Sequence, residues 1–376
     1  MKEIRQIIAA FQQIDFTKNR AAVALVARVE GSSYRRAGAR MLVLDNGTFL
    51  GGISGGCLEG DALRRAQKAI AAGRPSVVTY DTSRDDDHEI GIGLGCNGLI
   101  DVLFTPIEPS DGQNAIAFLE KISRTREPRL LATITDGLLE SLGKTLLFET
   151  ENDWRRDFPI KNATEITLAA AQNALKNRRT QTQMWPEAPA SGGFLTRSFG
   201  SLRVCFEIVI PATRLVLFGS NNDVYPLARI GHELGWEITV VANPLKMERS
   251  LFAISEKIIS PKSDEKPVLD AFTAVVLMAH DYRTDFQNLK EILPTVAPYI
   301  ALLGPRKRAQ KMFDALETNG SPVLKTTMRR ILAPAGLDIG ATSPEEIALS
   351  IVAEIRAHFA GKTGGSLREK RGSIHD

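Results

Sequence analysis

Residues 51–61, which read GGISGGCLEGD, bring a hydroxyl, a thiol and two carboxylates into one glycine-rich stretch. Residues 52–56 match the G-x-S-x-G pattern of hydrolases, in which Ser54 would be an exposed nucleophile on a sharp turn. Cys57 offers a thiol that could bind a soft metal or carry sulfur. A plain glycine-rich turn is the third interpretation.

A nucleophilic serine needs a histidine and an acid to activate it. The chain has five histidines, and none of those after Ser54 stands in a recognisable catalytic context. The stretch also follows a predicted hairpin, whereas a nucleophile elbow usually follows a central parallel strand. The sequence therefore disfavours a serine hydrolase and predicts no catalytic residue.

The residues around this stretch predict a strand, a turn and a helix. Two apolar runs flank Asn46-Gly47, which is a strong hairpin signal. Apolar positions at helical spacing then run from Leu58 to Ala72. Cys57 is thus expected at or near a helix N-terminus, where unpaired amides and the helix dipole favour an anion. Two Gly-Gly pairs exceed the need of one turn and indicate close approach of a ligand to the backbone.

A second glycine-rich turn, IGIGLGCNG, carries Cys96 and Asn97. The acidic run 85–89 precedes it and could bind a hard cation, although such runs are more typical of solvated loops. Cys205 lies inside a strand pattern and is interpreted as structural. Three widely spaced cysteines fit a reducing cytoplasm better than a disulfide framework, and no CxxC pair indicates structural zinc.

Charge and hydropathy exclude several classes of partner. The net charge is +3, and no basic run appears before the short tail, which argues against nucleic-acid binding. The longest apolar runs are strand-sized and too short to span a bilayer. Four arginines precede the glycine turn and suit phosphate or oxo-anions, although scattered arginines on a solvated face are the alternative: Arg28, Arg35, Arg36 and Arg40.

Element patterns predict an α/β protein of two domains. Residues 1–211 are predicted to form a mixed α+β domain with a core at 1–110 and a variable extension to 211. Within this extension, residues 150–195 have no single helix or strand pattern, and a hairpin is predicted near 195–210. Strand and helix alternate in residues 212–360, which predicts a Rossmann-like, doubly wound parallel sheet. A helix capped by Ser343 and Glu346 closes this domain. Residues 361–376 are a polar, glycine-rich tail.

The loop after the first strand of the second domain stands where a dinucleotide fingerprint belongs. It begins Gly219-Ser220-Asn221 and keeps only the first glycine, while Ala242 occupies the position expected for a ribose-binding acid. Ordinary NAD(P) binding is therefore disfavoured. Asparagine tolerates the left-handed conformation, so a distorted nucleotide loop stays open.

Several long stretches make the chain similar to a known family. They are EGSSYRRAGARMLV, GGISGGCLEGD and DDDHEIGIGLGCNG in the first half, and AVVLMAHDYRTD, YIALLGPRKRAQKMF and APAGLDIGATSPEEIALSIVAEI in the second; the tail GGSLREKRGSIH also matches. On these motifs the chain resembles the XdhC/CoxI accessory proteins of molybdenum-containing hydroxylases such as xanthine dehydrogenase. The resemblance covers nearly the whole chain except the stretch near 150–195.

The resemblance implies a cytoplasmic, homodimeric chaperone and no turnover enzyme. Such a protein would bind molybdenum cofactor of the molybdopterin type, protect it while a cysteine desulfurase supplies its sulfido ligand, and insert it into a xanthine dehydrogenase-like client. Cys57 and Cys96 would contact molybdenum or transferred sulfur, and the cofactor's oxo or phosphate groups would be held by Arg35, Gly55 and Gly56. The other predicted cofactor-binding residues are Gly52, Ser54, Glu59, Asn97, Gly219, Ser220 and Asn221.

The chain departs from the family in three places. Tyr34 stands where proline is common, Asn97 where a second glycine often follows the cysteine, and residues 220–222 where a glycine and a histidine or proline are common. The last departure weighs against nucleotide binding. Two other functions stay open: a NAD(P)- or nucleotide-dependent oxidoreductase, which the strand–helix alternation favours, and an interaction module with inert cysteines.

Overall fold

The computed structural model describes residues 1–81, 98–186, 201–318 and 325–371. The chain divides into two compact units, which we call the N-terminal unit (Met1 and Glu3–Pro211) and the C-terminal unit (Lys2 and Ala212–Asp376). Within the described ranges, no helix is long and apolar enough to cross a membrane.

The N-terminal unit opens with a helix and an antiparallel sheet that carries a second helix. The elements are α1 (Lys2–Gln12), β1 (Ala21–Gly31), β2 (Arg40–Leu44), β3 (Phe49–Gly51), α2 (Glu59–Ala72), β4 (Ser76–Asp81) and β5 (Gly98–Ile107). The strands lie in the order β3-β2-β1-β5-β4. The hairpin predicted at Asn46-Gly47 is confirmed, since β2 and β3 pair across it. α2 buries Ala62, Ala66 and Ile70 against the sheet, as their helical spacing predicts.

A second sheet completes this unit. Its elements are α3 (Ala115–Ser123), β6 (Arg129–Asp136), β7 (Thr145–Leu147), α4 (Glu151–Asp157), α5 (Thr164–Asn177), β8 (Gln181–Trp185) and β9 (Leu202–Val209). The strands lie in the order β7-β6-β9-β8. The Trp154 ring stacks on Phe158 and on Phe206, with centroids 5.2 and 6.4 Å apart, and fills the core beneath the sheet.

This second sheet differs from the sequence prediction. The stretch read as mixed contains α4 and β8, which the sequence prediction missed. β9 supplies the second strand of the hairpin predicted near 195–210, and its partners are β6 and β8; the first strand of that prediction falls outside the described residues. α4 spans seven residues, so its local helix signal is weak and burial of Trp154 stabilises it.

Buried charges join the two sheets of the N-terminal unit. Arg40 on β2 forms a two-pronged ion pair with Glu207 on β9, and the Arg40 Nη1 to Glu207 Oε1 distance is 2.8 Å. Asp101 on β5 is 1% exposed and accepts hydrogen bonds from Arg28 Nε (2.7 Å) and Arg203 Nη1 (3.0 Å). Each of these buried charges has a partner of opposite sign, so none is left uncompensated. The ion pairs therefore fix how the two sheets pack against each other.

The C-terminal unit is built around one parallel sheet. Its elements are β10 (Arg214–Phe218), α6 (Val224–Glu233), β11 (Glu237–Val241), α7 (Arg249–Ile254), β12 (Lys257–Ile259), β13 (Thr273–Leu277), α8 (Tyr282–Ile292), β14 (Tyr299–Leu302), α9 (Arg306–Thr318), α10 (Lys325–Met328), β15 (Ile331–Leu332) and α11 (Pro344–Phe359). The strand order is β12-β11-β10-β13-β14-β15, and all neighbours are parallel. This confirms the predicted doubly wound sheet.

Helices cover both faces of this sheet. Leu215 and Leu217 point into a core shared with α6 and α11, while Val216 points into a core shared with α8 and α9. Burial on both faces explains why the strands are continuous apolar runs and do not alternate. The short strands β12 and β15 were not predicted, because two or three residues carry too little pattern.

The predicted capping box at the start of α11 is confirmed. Ser343 Oγ accepts from the Glu346 amide at 3.3 Å, and the Glu346 carboxylate accepts from the Ser343 amide at 3.0 Å. Hydrogen bonds from Ser343 and Thr342 lower the pKa of Glu346 to about 2. The cap therefore persists over the whole physiological pH range.

Replacing Glu207 by alanine would leave the buried Arg40 guanidinium without its partner. We expect Glu207→Ala to lower the free energy of unfolding by about 3–5 kcal/mol, measured by urea denaturation. Glu165→Ala is the matched control, because it removes an exposed carboxylate that pairs with the exposed Arg155 and should leave the midpoint nearly unchanged. Equal effects of the two substitutions would contradict a special role for the buried pair.

Candidate functional site

The glycine turn, residues 51–58, connects β3 to α2. Gly51 has a φ of 85°, and a Cβ at this position would lie 2.5 Å from the Arg40 carbonyl oxygen. The Gly52 amide donates to the same oxygen at 2.9 Å. Only glycine fits at position 51 on both counts, and the start of the turn is thereby held against β2.

Ser54 and Glu59 brace the turn from inside. The Ser54 hydroxyl donates to Glu59 Oε2 and accepts from the Gly56 amide (3.2 Å) and the Leu58 amide (3.0 Å). Glu59 Oε1 accepts from the amides of Ile53 (3.1 Å) and Ser54 (2.8 Å). Partial burial tends to raise the pKa of Glu59, but these hydrogen bonds outweigh it and lower the pKa.

This bracing argues against a nucleophilic Ser54. Within the described ranges its hydroxyl hydrogen bonds to a carboxylate, backbone amides and the Cys57 thiol, and to no histidine. The Ser54 hydroxyl donates its proton to a carboxylate and accepts from amides with its lone pairs. This arrangement is typical of a structural role. Ser54 therefore supports the turn and the residues exposed on it.

Cys57 carries the exposed thiol of the turn. It lies two residues before the first residue of α2, and its Sγ is 3.5 Å from Ser54 Oγ. The amides of Gly55 and Cys57 donate to no group in the described part of the chain. A Cβ at Gly56 would meet nothing within 4 Å, so the space above the turn is open. A thiol and free amides thus share one accessible surface at a helix N-terminus.

The predicted anion-binding arginine is already paired. Arg35 forms an ion pair with Glu3, and both side chains are about one-third exposed. Tyr34 is 72% exposed, and a Cβ at Gly55 would lie 3.3 Å from its ring. A cavity of about 370 Å³, lined by Arg35, Arg36 and Arg40 among others, opens beside them. An anion at Arg35 would have to compete with Glu3.

Of the two cysteines predicted to bind a metal, the structure describes only Cys57. Cys96 and Asn97 lie outside the described residues. Within the described ranges, no group of three or more His, Cys, Asp or Glu side chains could hold a metal ion. Cys205 is 1% exposed, and burial raises the pKa of its thiol to about 12, which agrees with the predicted structural role.

The predicted loop residues Gly219, Ser220 and Asn221 lie at the carboxyl end of β10. A Cβ at Gly219 would lie 2.5 Å from the Met278 carbonyl oxygen, so glycine is required where β10 and β13 are closest. The Asn221 carbonyl accepts from the Val224 amide at 3.0 Å and leads the chain into α6. These three residues belong to the C-terminal unit, whereas the glycine turn belongs to the N-terminal unit.

Sequence reasoning missed a pair in the same region. His280 Nε2 lies 2.5 Å from Asp223 Oδ2, although 57 positions separate them in the chain. His280 follows β13 and has a φ of 58°, which is rare for a residue other than glycine. The signal that could have found it is a histidine directly after a parallel strand, in AVVLMAHDYRTD. Asp223 places a negative charge where a bound pyrophosphate would lie, which disfavours ordinary dinucleotide binding.

Comparison with known proteins identifies relatives of both units. A family described as "XdhC and CoxI family" matches residues 17–81, and "XdhC Rossmann domain" matches residues 215–355. A protein of Bacillus subtilis (strain 168) that is named as a probable xanthine dehydrogenase subunit is 29% identical over 341 residues, covering 89% of this chain and 92% of the relative. The "Molybdenum cofactor insertion chaperone PaoD" of Escherichia coli (strain K12) is 21% identical over 335 residues, which cover 89% of this chain and 82% of the relative.

A solved structure shares the whole architecture. The crystal structure of a xanthine dehydrogenase from Bacillus halodurans superposes with a TM-score of 0.71 at 26% sequence identity, covering 96% of this chain and 97% of that chain. The two family matches include the glycine turn and the parallel sheet, and together they span more than half of the residues. The chain therefore belongs to the XdhC and CoxI family.

Proposed function

We propose that this protein is a chaperone that binds molybdenum cofactor of the molybdopterin type and inserts it into a xanthine dehydrogenase-like hydroxylase. The observation that carries the proposal is the glycine turn, where the exposed Cys57 thiol lies beside open space at Gly56 and the Gly55 and Cys57 amides donate to no described residue. The relative named as a molybdenum cofactor insertion chaperone supports the same role.

The residues of the turn fit such a group. A thiolate is a soft ligand that suits a molybdenum centre, and it can also carry sulfur. The amides of Gly55 and Cys57 would donate to an oxo group, and the open space at Gly56 leaves room for a ligand beside the thiol. When bound, the metal would supply the oxo ligand that sulfuration replaces. The Cys57 thiol donates to Ser54 Oγ, and Ser54 is held in turn by its hydrogen bond to Glu59.

The fuller proposal includes protection and transfer. The protein shields the cofactor while a cysteine desulfurase provides sulfur, then passes it to the client enzyme; it acts as a homodimer in the reducing cytoplasm. Cys96 is the second thiol of this proposal. The competing nucleotide-dependent oxidoreductase is less well supported, because Asp223 and His280 occupy the place where dinucleotide phosphates would bind.

The two described thiols should differ sharply in reactivity. Iodoacetamide at about pH 8 is expected to alkylate Cys57 in the folded protein and to leave Cys205 unmodified, because Cys205 is buried and its thiol pKa is raised to about 12. Peptide mass spectrometry after timed quenching measures both sites in one sample. Alkylation in guanidinium chloride is the control, in which the sites should react alike. A folded protein with unreactive Cys57 would favour an inert interaction module.

Cofactor binding should depend on the thiols of the glycine turns. Cys57→Ala is expected to weaken binding of purified molybdenum cofactor at least about tenfold, measured by equilibrium filtration with molybdenum analysis and by activation of an apo-hydroxylase. Cys205→Ala is the matched control and should bind like wild type. If Cys57→Ala and Cys96→Ala both bind and support sulfuration normally, the site is wrong. If the wild-type protein binds no cofactor, the function is wrong.

A further inference from the structure

The strand order of the C-terminal unit creates a switch point between neighbouring strands. The chain leaves β10 through α6, which packs on one face of the sheet, and leaves β13 through α8, which packs on the other. β10 and β13 are neighbours, so the loops after them separate at the carboxyl edge. Ligands of doubly wound sheets bind at this switch point. In this chain the two loops carry Asp223 and His280.

Asp223 has hydrogen-bonding capacity that the free protein does not use. Its side chain is 13% exposed, and only Oδ2 has a partner, the His280 Nε2 atom. Oδ1 is buried and receives no hydrogen bond from any described residue. A buried carboxylate oxygen without a donor is unfavourable, so this position is suited to a ligand that brings N–H groups to the carboxylate.

His280 covers this carboxylate from the solvent side. Its side chain is half-exposed, and its backbone φ of 58° lies in the left-handed region that costs energy for a residue with a Cβ. The loop beneath it is fixed, because Asp285 accepts from the Ala279 amide at 3.0 Å and from Arg308 Nη2 at 2.6 Å. A ligand that bound Asp223 Oδ2 would have to displace the His280 ring from it, while the Asp285 contacts hold the loop beneath.

The chemistry of a carboxylate with two usable oxygens defines the ligand class. Two parallel N–H donors match it in the same bidentate way that a guanidinium does. The 2-amino-4-oxopyrimidine edge of a pterin or a guanine presents two such donors, whereas adenine does not. A phosphate would be repelled by Asp223. We propose that Asp223 recognises this edge of a pterin or a guanine within the C-terminal unit.

A cavity also lies at this edge of the sheet, and its lining includes neither Asp223 nor His280. A cavity of about 950 Å³ begins at Phe218 and Val241, the last residues of β10 and β11, and includes Arg283 near the start of α8. The Arg283 guanidinium makes no ion pair or hydrogen bond with the described residues. An anion in this cavity would meet the Arg283 guanidinium together with the Glu265 and Glu291 carboxylates that also line it.

Binding of small heterocycles to the full-length protein tests this assignment directly. Pterin is expected to bind, measured by quenching of its fluorescence, and lumazine, which has an oxo group in place of the 2-amino group, should bind about 10- to 100-fold more weakly. GMP and AMP form a second pair that reports whether guanine is the source. Equal affinities within both pairs, or binding of AMP alone, would overturn the proposal.

Three variants test whether pterin binds at Asp223. Asp223→Asn should weaken pterin binding about 10- to 100-fold, whereas Asp281→Asn, the same change at an exposed carboxylate that caps α8, should leave binding intact. His280→Gly removes both the covering ring and the strain, so pterin should bind more tightly. Circular dichroism checks folding, and the ligand pairs decide the question on the wild type if Asp223→Asn is unfolded. A loss in Asp281→Asn equal to that in Asp223→Asn would contradict the assignment.

The outcome is separable from that of the proposed function. An Asp223→Asn protein that inserts molybdenum cofactor normally and binds pterin and GMP like wild type would retain its chaperone role and disprove this recognition. A protein that binds GMP in preference to AMP at Asp223 but binds no molybdenum cofactor would retain the recognition and lose the chaperone role.

Discussion

Arg40 holds the candidate site in place through two different parts of one residue. Its carbonyl accepts the Gly52 amide and lies so close to Gly51 that no side chain fits there. Its guanidinium forms the buried ion pair with Glu207 on the second sheet. A buried ion pair offsets its desolvation only when its geometry is well defined. The start of the glycine turn is therefore fixed relative to both sheets of the N-terminal unit.

Different residues of the glycine turn hold its shape and expose its thiol. Ser54 and Glu59 use their hydrogen-bonding groups on each other and on nearby amides, which makes the loop rigid from within. Cys57 and the free amides are left facing solvent. If the turn binds a cofactor as proposed, this rigidity favours binding, since a preorganised site loses little entropy when the ligand binds.

The C-terminal unit has the strand order of a doubly wound sheet but unusual side chains at its switch point. Strand order alone places a crevice between the loops after β10 and β13. An ordinary dinucleotide site would line it with glycine amides, which donate to phosphates. Here a carboxylate and an imidazole lie there. Fold similarity therefore predicts where a ligand binds, and the side chains decide which ligand it is.

Much of the fold was determined by local patterns in the sequence. The Asn46-Gly47 hairpin, the apolar stripe of α2, the parallel strands and the capping box at Ser343 follow from spacing and turn chemistry, which act between near neighbours. Short elements such as α4, β8 and β12 escaped prediction, because tertiary burial stabilises them more than their own few residues do.

The candidate sites likewise have some features that follow from local sequence and others that only the tertiary structure determines. The sequence by itself placed Cys57 on a glycine turn before a helix, since residues only a few positions apart build that turn. Only the tertiary structure decided which charges neutralise each other: Arg35 with Glu3, and Arg40 with Glu207, 167 positions away. It also brought Asp223 and His280 together through the pairing of β10 and β13. Electrostatic and hydrogen-bonding partners are set by distance in space, which the spacing of residues along a chain does not encode.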